Sequence, residues 1–235
     1  MILVKLLLAH LVGDFILQPK SWIKDKNERK WRSPWLWVHS LIHFLLIMGV
    51  LWNWSVWSVA LFIAGTHLVI DGIKLTFQRE ETQLRWFTID QLAHLTILLL
   101  VWSFYWEFSM VDVPVNTIWV VLTGVLFVTY PAAIIIQRFM QGWSQQFESN
   151  DDGTLRGAGT YIGILERLFI IIAMLTSNLS VIGFLLAAKS VFRFGDLSRS
   201  EDRKLTEYIL IGTLLSFFIA ILTGLAMIWG LRLIQ

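Results

Sequence analysis

Long apolar runs decide what this chain can become. Eight stretches, at about 2–17, 35–52, 55–76, 86–105, 116–137, 158–177, 179–194 and 207–231, are apolar enough to enter a bilayer, which takes about 20 helical residues to cross. Lipid offers no partner for backbone N–H and C=O groups, so helix is the state open to such segments. The expected fold is all-α, a polytopic membrane protein of about eight transmembrane helices. The first and seventh segments are short enough to be re-entrant. Charged residues make up 15% of the sequence, against about a quarter in a soluble domain. Trp22, Trp31, Trp35, Trp86, Trp106 and Trp143 lie near segment ends, where indoles favour the membrane interface.

Loop charge sets the expected orientation. "KSWIKDKNERKWRS" (20–33), "KLTFQREETQLRW" (74–86) and "RSEDRK" (199–204) are basic or mixed, while "NWS" (53–55), "EFSMVDVPVN" (107–116) and "SNLS" (177–180) are neutral or acidic. The positive-inside rule places the first set in the cytoplasm, and the sides then alternate over all eight segments. The first segment holds a histidine and an aspartate and lacks a small-residue cleavage site, so it reads as mature protein. The polar connection near 138–157 divides the chain into a His/Asp-rich bundle, 1–137, and a second bundle, 158–235.

The polar residues inside the apolar segments follow a pattern. All five histidines fall in the first four segments, joined by three aspartates. "HLVGD" pairs His10 with Asp14, "HSLIH" His39 with His43, "HLVID" His67 with Asp71, and "DQLAH" Asp90 with His94. A spacing of four puts each pair on one helix face. Helices one and three run inward and carry His before Asp; helix four runs outward and carries Asp before His. At about 1.5 Å per residue, Asp14, His39, Asp71 and Asp90 lie roughly 6–8 Å from the cytoplasmic ends, and His10, His43, His67 and His94 roughly 12–14 Å. Eight side chains are thus expected in two layers.

Ionisable groups in lipid are costly, at about 2.5–3.5 kcal/mol for a central aspartate, and need a compensating partner. A divalent metal neutralises carboxylates and satisfies imidazole lone pairs together. Imidazole with carboxylate suits zinc first, with iron or manganese as alternatives, and eight donors have room for one or two ions. The chain has no cysteine, which excludes disulfides, thiolate nucleophiles and thiolate-bound metals. Gly13 and Gly72 sit beside the candidate ligands, where a missing side chain permits close helix approach. Lys74 shares a helix face with His67 and Asp71 and reads either as a snorkelling lysine or as a substrate contact. In the second bundle Glu166 and Arg167 ("GTYIGILERLF") and Lys189 and Arg193 ("AAKSVFRFGD") lie toward the same side. They read as an ion pair stapling two helices or as a basic wall for an anionic group. Glu207 reads as a helix-start cap.

"HLVGDFILQ", "VHSLIH", "THLVIDGIK" and "DQLAH" resemble an uncharacterised bacterial inner-membrane family, known as a domain of unknown function, and the resemblance implies a location in the bacterial cytoplasmic (inner) membrane. "GTYIGILERLF" and "AAKSVFRF" are similar to longer members of it. The intramembrane His/Asp pattern more distantly resembles membrane-bound metal-dependent hydrolases and the seven-helix zinc amidases that include alkaline ceramidases. The expected function is a metal-dependent membrane hydrolase, with Asp14, Asp90 or Glu166 as general base and Lys74, Arg167, Lys189 and Arg193 holding an anionic substrate. The implied partners are membrane lipids and an amphiphilic small molecule, with no nucleic acid. The other classes open to these ligands are a divalent-metal or proton transporter and a non-catalytic sensor or partner subunit with a structural metal. The clustered HxxHH motifs of membrane desaturases are absent from the sequence.

Overall fold

A computed structural model describes residues 1–108, 117–144, 157–191 and 200–233, and every regular element among them is helical. Arg193 lies outside these residues. The chain divides into two compact units, Met1–Trp119 and Val120–Gln235.

The first unit holds α1 (Ile2–Phe15), α2 (Lys20–Arg29), α3 (Pro34–Leu51), α4 (Trp57–Phe77) and α5 (Gln83–Phe108). Helices α1, α3, α4 and α5 pack as a bundle. The 14 residues of α1 reach about 21 Å, short of a hydrocarbon core of about 30 Å. Pro19, held extended at ψ 150°, ends the apolar run, and the chain turns by 79° into the segment Lys20–Arg32. Proline again marks the return: Pro34 occupies the first turn of α3, where its missing N–H costs nothing.

The second unit holds most of α6 (Thr117–Val128), then α7 (Tyr130–Ser144), α8 (Ala158–Leu175), α9 (Ser180–Val191) and α10 (Ser200–Arg232). Among the described residues six stretches are long and apolar enough to cross a membrane, and the bent pair at the N-terminus makes a seventh if it counts as one span. The chain is a multi-pass helical membrane protein. The two segments expected to be short are α1 and the 12-residue α9. Helix α10 begins at Ser200, so Glu207 lies well inside it rather than capping its start.

The segment 116–137 breaks at Thr129, between α6 and α7. Pro131 has no N–H to continue the helix ladder. The guanidinium of Arg167 fills the gap, donating from Nε to Val128 O, from Nη2 to Thr129 O at 3.2 Å and from Nη1 to Ser216 Oγ at 3.0 Å. Its side chain is buried, and its charge is spent on backbone carbonyls at the break, one of which, Thr129 O, also accepts from Ala133 N–H at 3.2 Å.

Two glycines show why side chains are missing beside the polar cluster. A Cβ on Gly13 would collide with the His43 imidazole, and one on Gly72 with the Trp31 indole. Trp31, in the 3-10 turn Lys30–Arg32, lies on Gly72 and donates from Nε1 to Thr76 Oγ1 at 3.1 Å. Gly72→Ala is expected to lower stability in detergent by about 1–3 kcal/mol through overpacking. Gly65→Ala is the control: nothing lies within 4 Å of its Cβ position, and alanine is the better helix former by about 1 kcal/mol. Thermal unfolding of the two variants checks the contrast.

Candidate metal centre

Four helices bring the His/Asp pairs to one place. Asp14, near the end of α1, is the hub. Its Oδ1 lies 3.0 Å from His43 Nε2, 3.2 Å from His39 Nε2 and 3.4 Å from His67 Nε2. Its Oδ2 accepts from Gln91 Nε2 at 2.9 Å and lies 3.7 Å from His10 Nε2. The rings of His43 and His67 stack at 3.8 Å between centroids, and those of His67 and His94 at 3.9 Å. His10 stands 5.3 Å from His94. His10, His43, His67 and His94 together face a small cavity of about 10 Å³, closed on the other side by Leu6, Ile47, Ile63 and Leu98. His39 and the three aspartates do not line it.

The nitrogens fit a cation better than they fit one another. His67 Nε2 lies 3.1 Å from His39 Nε2, and at most one of the two can donate to the other. His39 Nδ1, both nitrogens of His94 and Asp90 Oδ1 are buried without a hydrogen-bond partner, although nearly all buried polar groups in folded proteins find one. Three sets of donor atoms lie close enough for shared coordination: His10, Asp14, His43 and His67; His39, His67 and Asp71; and Asp71, Asp90 and His94. Within each set the atoms fall within 4.8 Å of one another. All eight ligand candidates from the sequence appear in these sets, and they are groups that could hold a metal ion.

Two lysines complete the electrostatics. Lys26 reaches inward from α2 and donates to Asp71 Oδ2 at 2.8 Å, with both residues buried. Lys74 donates to Asp90 Oδ2 at 2.7 Å. Asp14 has no such ammonium partner among the described residues; its close neighbours are imidazoles and the Gln91 amide. Gln91 binds both sides of the cluster, accepting from His10 Nε2 at 3.3 Å through Oε1 and donating to Asp90 Oδ2 at 3.3 Å.

Lys26 and Gln91 were not among the residues picked out by spacing. Gln91 had a signal, a second polar residue beside Asp90 inside an apolar run. Lys26 had none, because it sits among basic residues that the positive-inside rule already explains. In the second unit, Lys189 Nζ donates to Glu166 Oε2 at 2.7 Å, and Arg167 is committed to the α6–α7 break.

A multi-pass helical membrane protein with a buried His/Asp centre is the class these observations define. The chain belongs to the family described as Protein of unknown function (DUF3307), whose profile matches residues 2–122. The match takes in α1 to α5 and every residue of the cluster, and ends before "GTYIGILERLF". No curated protein and no solved structure matches the chain.

Proposed function

We propose that this protein is a metal-dependent hydrolase of the bacterial inner membrane, with its site facing the cytoplasm and acting on an anionic amphiphile. The observation that carries the reading is the convergence of three imidazole Nε2 atoms on one oxygen of Asp14, a carboxylate without an ammonium partner. His10, Asp14, His43 and His67 are the residues that would hold the ion. Zinc suits these donors, and iron or manganese would also be accepted. A metal there supplies Lewis acidity and a bound water acidic enough to attack near neutral pH.

The chain's own groups do the rest. Asp90 presents a free Oδ1, the acceptor a general base needs. Lys26 and Lys74 neutralise Asp71 and Asp90, so three carboxylates face two ammonium groups and one negative charge is left over. A divalent ion held by His10, Asp14, His43 and His67 would offset that charge. Lys74 keeps 22% of its side chain exposed and is the cation placed to meet an anionic headgroup. The basic segment Lys20–Arg32 lies at the end of the bundle nearest Asp14, and the positive-inside rule supports the reading that this end faces the cytoplasm.

A transit pathway for ions fits less well. Beyond the histidines the core continues as an apolar cluster that includes Leu6, Ile47, Leu51, Ile63 and Leu98. The lysine at that end, Lys5, is buried with its ammonium 4.6 Å from the Trp119 ring centroid.

The test is to purify wild type and His43→Ala in detergent without chelator and count bound transition metal. Both are then reconstituted in phosphatidylethanolamine/phosphatidylglycerol vesicles, and lipid products and metal uptake are measured. About one ion per chain and lipid cleavage, both lost in His43→Ala, are expected. Metal-free wild type overturns the centre, and uptake without cleavage overturns the hydrolase.

A further inference from the structure

The second unit carries a groove that the metal centre does not explain. It has a volume of about 480 Å³, within the range of small-molecule sites, and is lined by α7, α8, α9 and α10. Along α8 its lining runs from Gly159 to Arg167, about 12 Å of helix, so it starts at the helix end and reaches one headgroup's depth inward. Ile136, Met140, Ile162 and Ile209 give it apolar walls.

The Glu166–Lys189 ion pair lines the groove, together with Arg167, which is engaged by Val128 O, Thr129 O and Ser216 Oγ, and with Gln137, Thr160 and Tyr208. The side chains of the pair keep 15% and 24% exposure. Lys189 gives one N–H to Glu166 Oε2. An ammonium has three donors and a carboxylate two oxygens, so two N–H groups and Glu166 Oε1 have no further hydrogen-bond partner among the described residues. A staple alone would leave no reason for a cavity around it. Of the three lining glycines, Gly163 is close-packed, its Cβ position 3.1 Å from Arg167 Nη1, but Gly159 and Gly212 are not packing glycines. A Cβ on Gly159 would meet nothing within 4 Å, and one on Gly212 only the Met140 methyl at 3.8 Å. By contrast, Gly124 and Gly224 of the same unit are pressed against Met227 and Met174. Glycine costs about 1 kcal/mol against alanine inside a helix, and in the groove that cost keeps space open.

We infer that this groove binds a zwitterionic amphiphile whose head carries an N–H-bearing ammonium and a phosphate, the ammonium on Glu166 and the phosphate on Lys189, with its chain along the isoleucine wall. A pair that offers spare donors beside a spare acceptor matches a head with both charges, whereas a purely anionic head would face the Glu166 carboxylate.

Native mass spectrometry of the full chain tests this, after exchange into micelles doped with equal amounts of phosphatidylethanolamine, phosphatidylcholine and phosphatidylglycerol. Retention of phosphatidylethanolamine over the other two is expected. Phosphatidylcholine has no ammonium N–H, and phosphatidylglycerol has no cation. Glu166→Gln and Lys189→Met should each lower that retention about tenfold, the worth of one charge-assisted hydrogen bond. The exchange Glu166→Lys with Lys189→Glu keeps the staple and the fold but inverts the head's polarity relative to its chain, and should bind as poorly as the single variants. Equal retention of the three lipids overturns the assignment. So does an exchanged pair that binds like wild type. Metal content and lipid cleavage are not read here, so the outcome is independent of the hydrolase proposal.

Discussion

Asp14→Asn should empty the metal centre while leaving the bundle folded. Asparagine keeps the shape of the side chain and one carbonyl oxygen, but removes the charge at the point where His39, His43 and His67 converge. Groups that merely support a metal ligand cost 10–100-fold in affinity when lost, so the hub should cost at least about 100-fold. Bound metal is expected to fall from about one ion per chain to trace amounts, and cleavage with it. Asp71→Asn makes the informative comparison. Asp71 is already neutralised by Lys26 at 2.8 Å, so its loss should weaken metal binding less than the loss of Asp14. Elemental analysis of the two variants side by side, with circular dichroism for folding, decides the matter. If Asp14→Asn keeps its metal, or if Asp71→Asn is the variant that loses it, the hub has been misplaced.

The membrane class and the His/Asp cluster were legible because both follow from periods the sequence states directly. Twenty apolar residues mean a span, and a spacing of four means one face. The exchange of His-before-Asp in helices α1 and α4 for Asp-before-His in α5 encodes the reversal of chain direction. What surrounds the cluster was less legible. Lys26 takes part through tertiary folding of α2 beneath the bundle, and nothing in "KSWIKDKNERK" separates the lysine that turns inward from those that stay in water. Gly72 was read as a contact between helices, yet the ring that fills its space, Trp31, comes from the short turn after α2. The segment 116–137 looks continuous in hydropathy because the apolar residues on both sides of Pro131 hide the break. Arg167 then donates to Val128 O and Thr129 O at the break. Hydropathy also locates the apolar stretch rather than the helix. Helix α10 starts at Ser200 because "SEDRKLTEY" is made largely of good helix formers, and they carry the helix out past its apolar part.

Lys26→Met is expected to be the most destabilising single change in the first unit. Lys26 and Asp71 are 5% and 6% exposed, so removing the ammonium leaves a buried carboxylate without its partner. Breaking a buried pair from one side costs about 3–5 kcal/mol, whereas replacing both members with neutral groups is often close to neutral. The second effect gives the control: Lys26→Met combined with Asp71→Asn should recover most of the loss. The energy is also local in origin. Lys26 joins α2, a polar helix, to α4 in the bundle, and Trp31 on Gly72 and the Trp22–Trp35 stack at 4.4 Å fasten the same segment. In Lys26→Met, limited proteolysis in detergent should therefore open the chain within 20–33 before the rest of the bundle unfolds, and the double variant should restore resistance there. Global unfolding with no early cleavage in that segment would show that the pair holds the whole bundle rather than docking α2. An unchanged melting temperature would show that the pair contributes nothing measurable. The two lysines then divide by position: Lys26, fully enclosed, fixes Asp71 and the helix that carries it, while Lys74, partly open, is the cation left within reach of a headgroup.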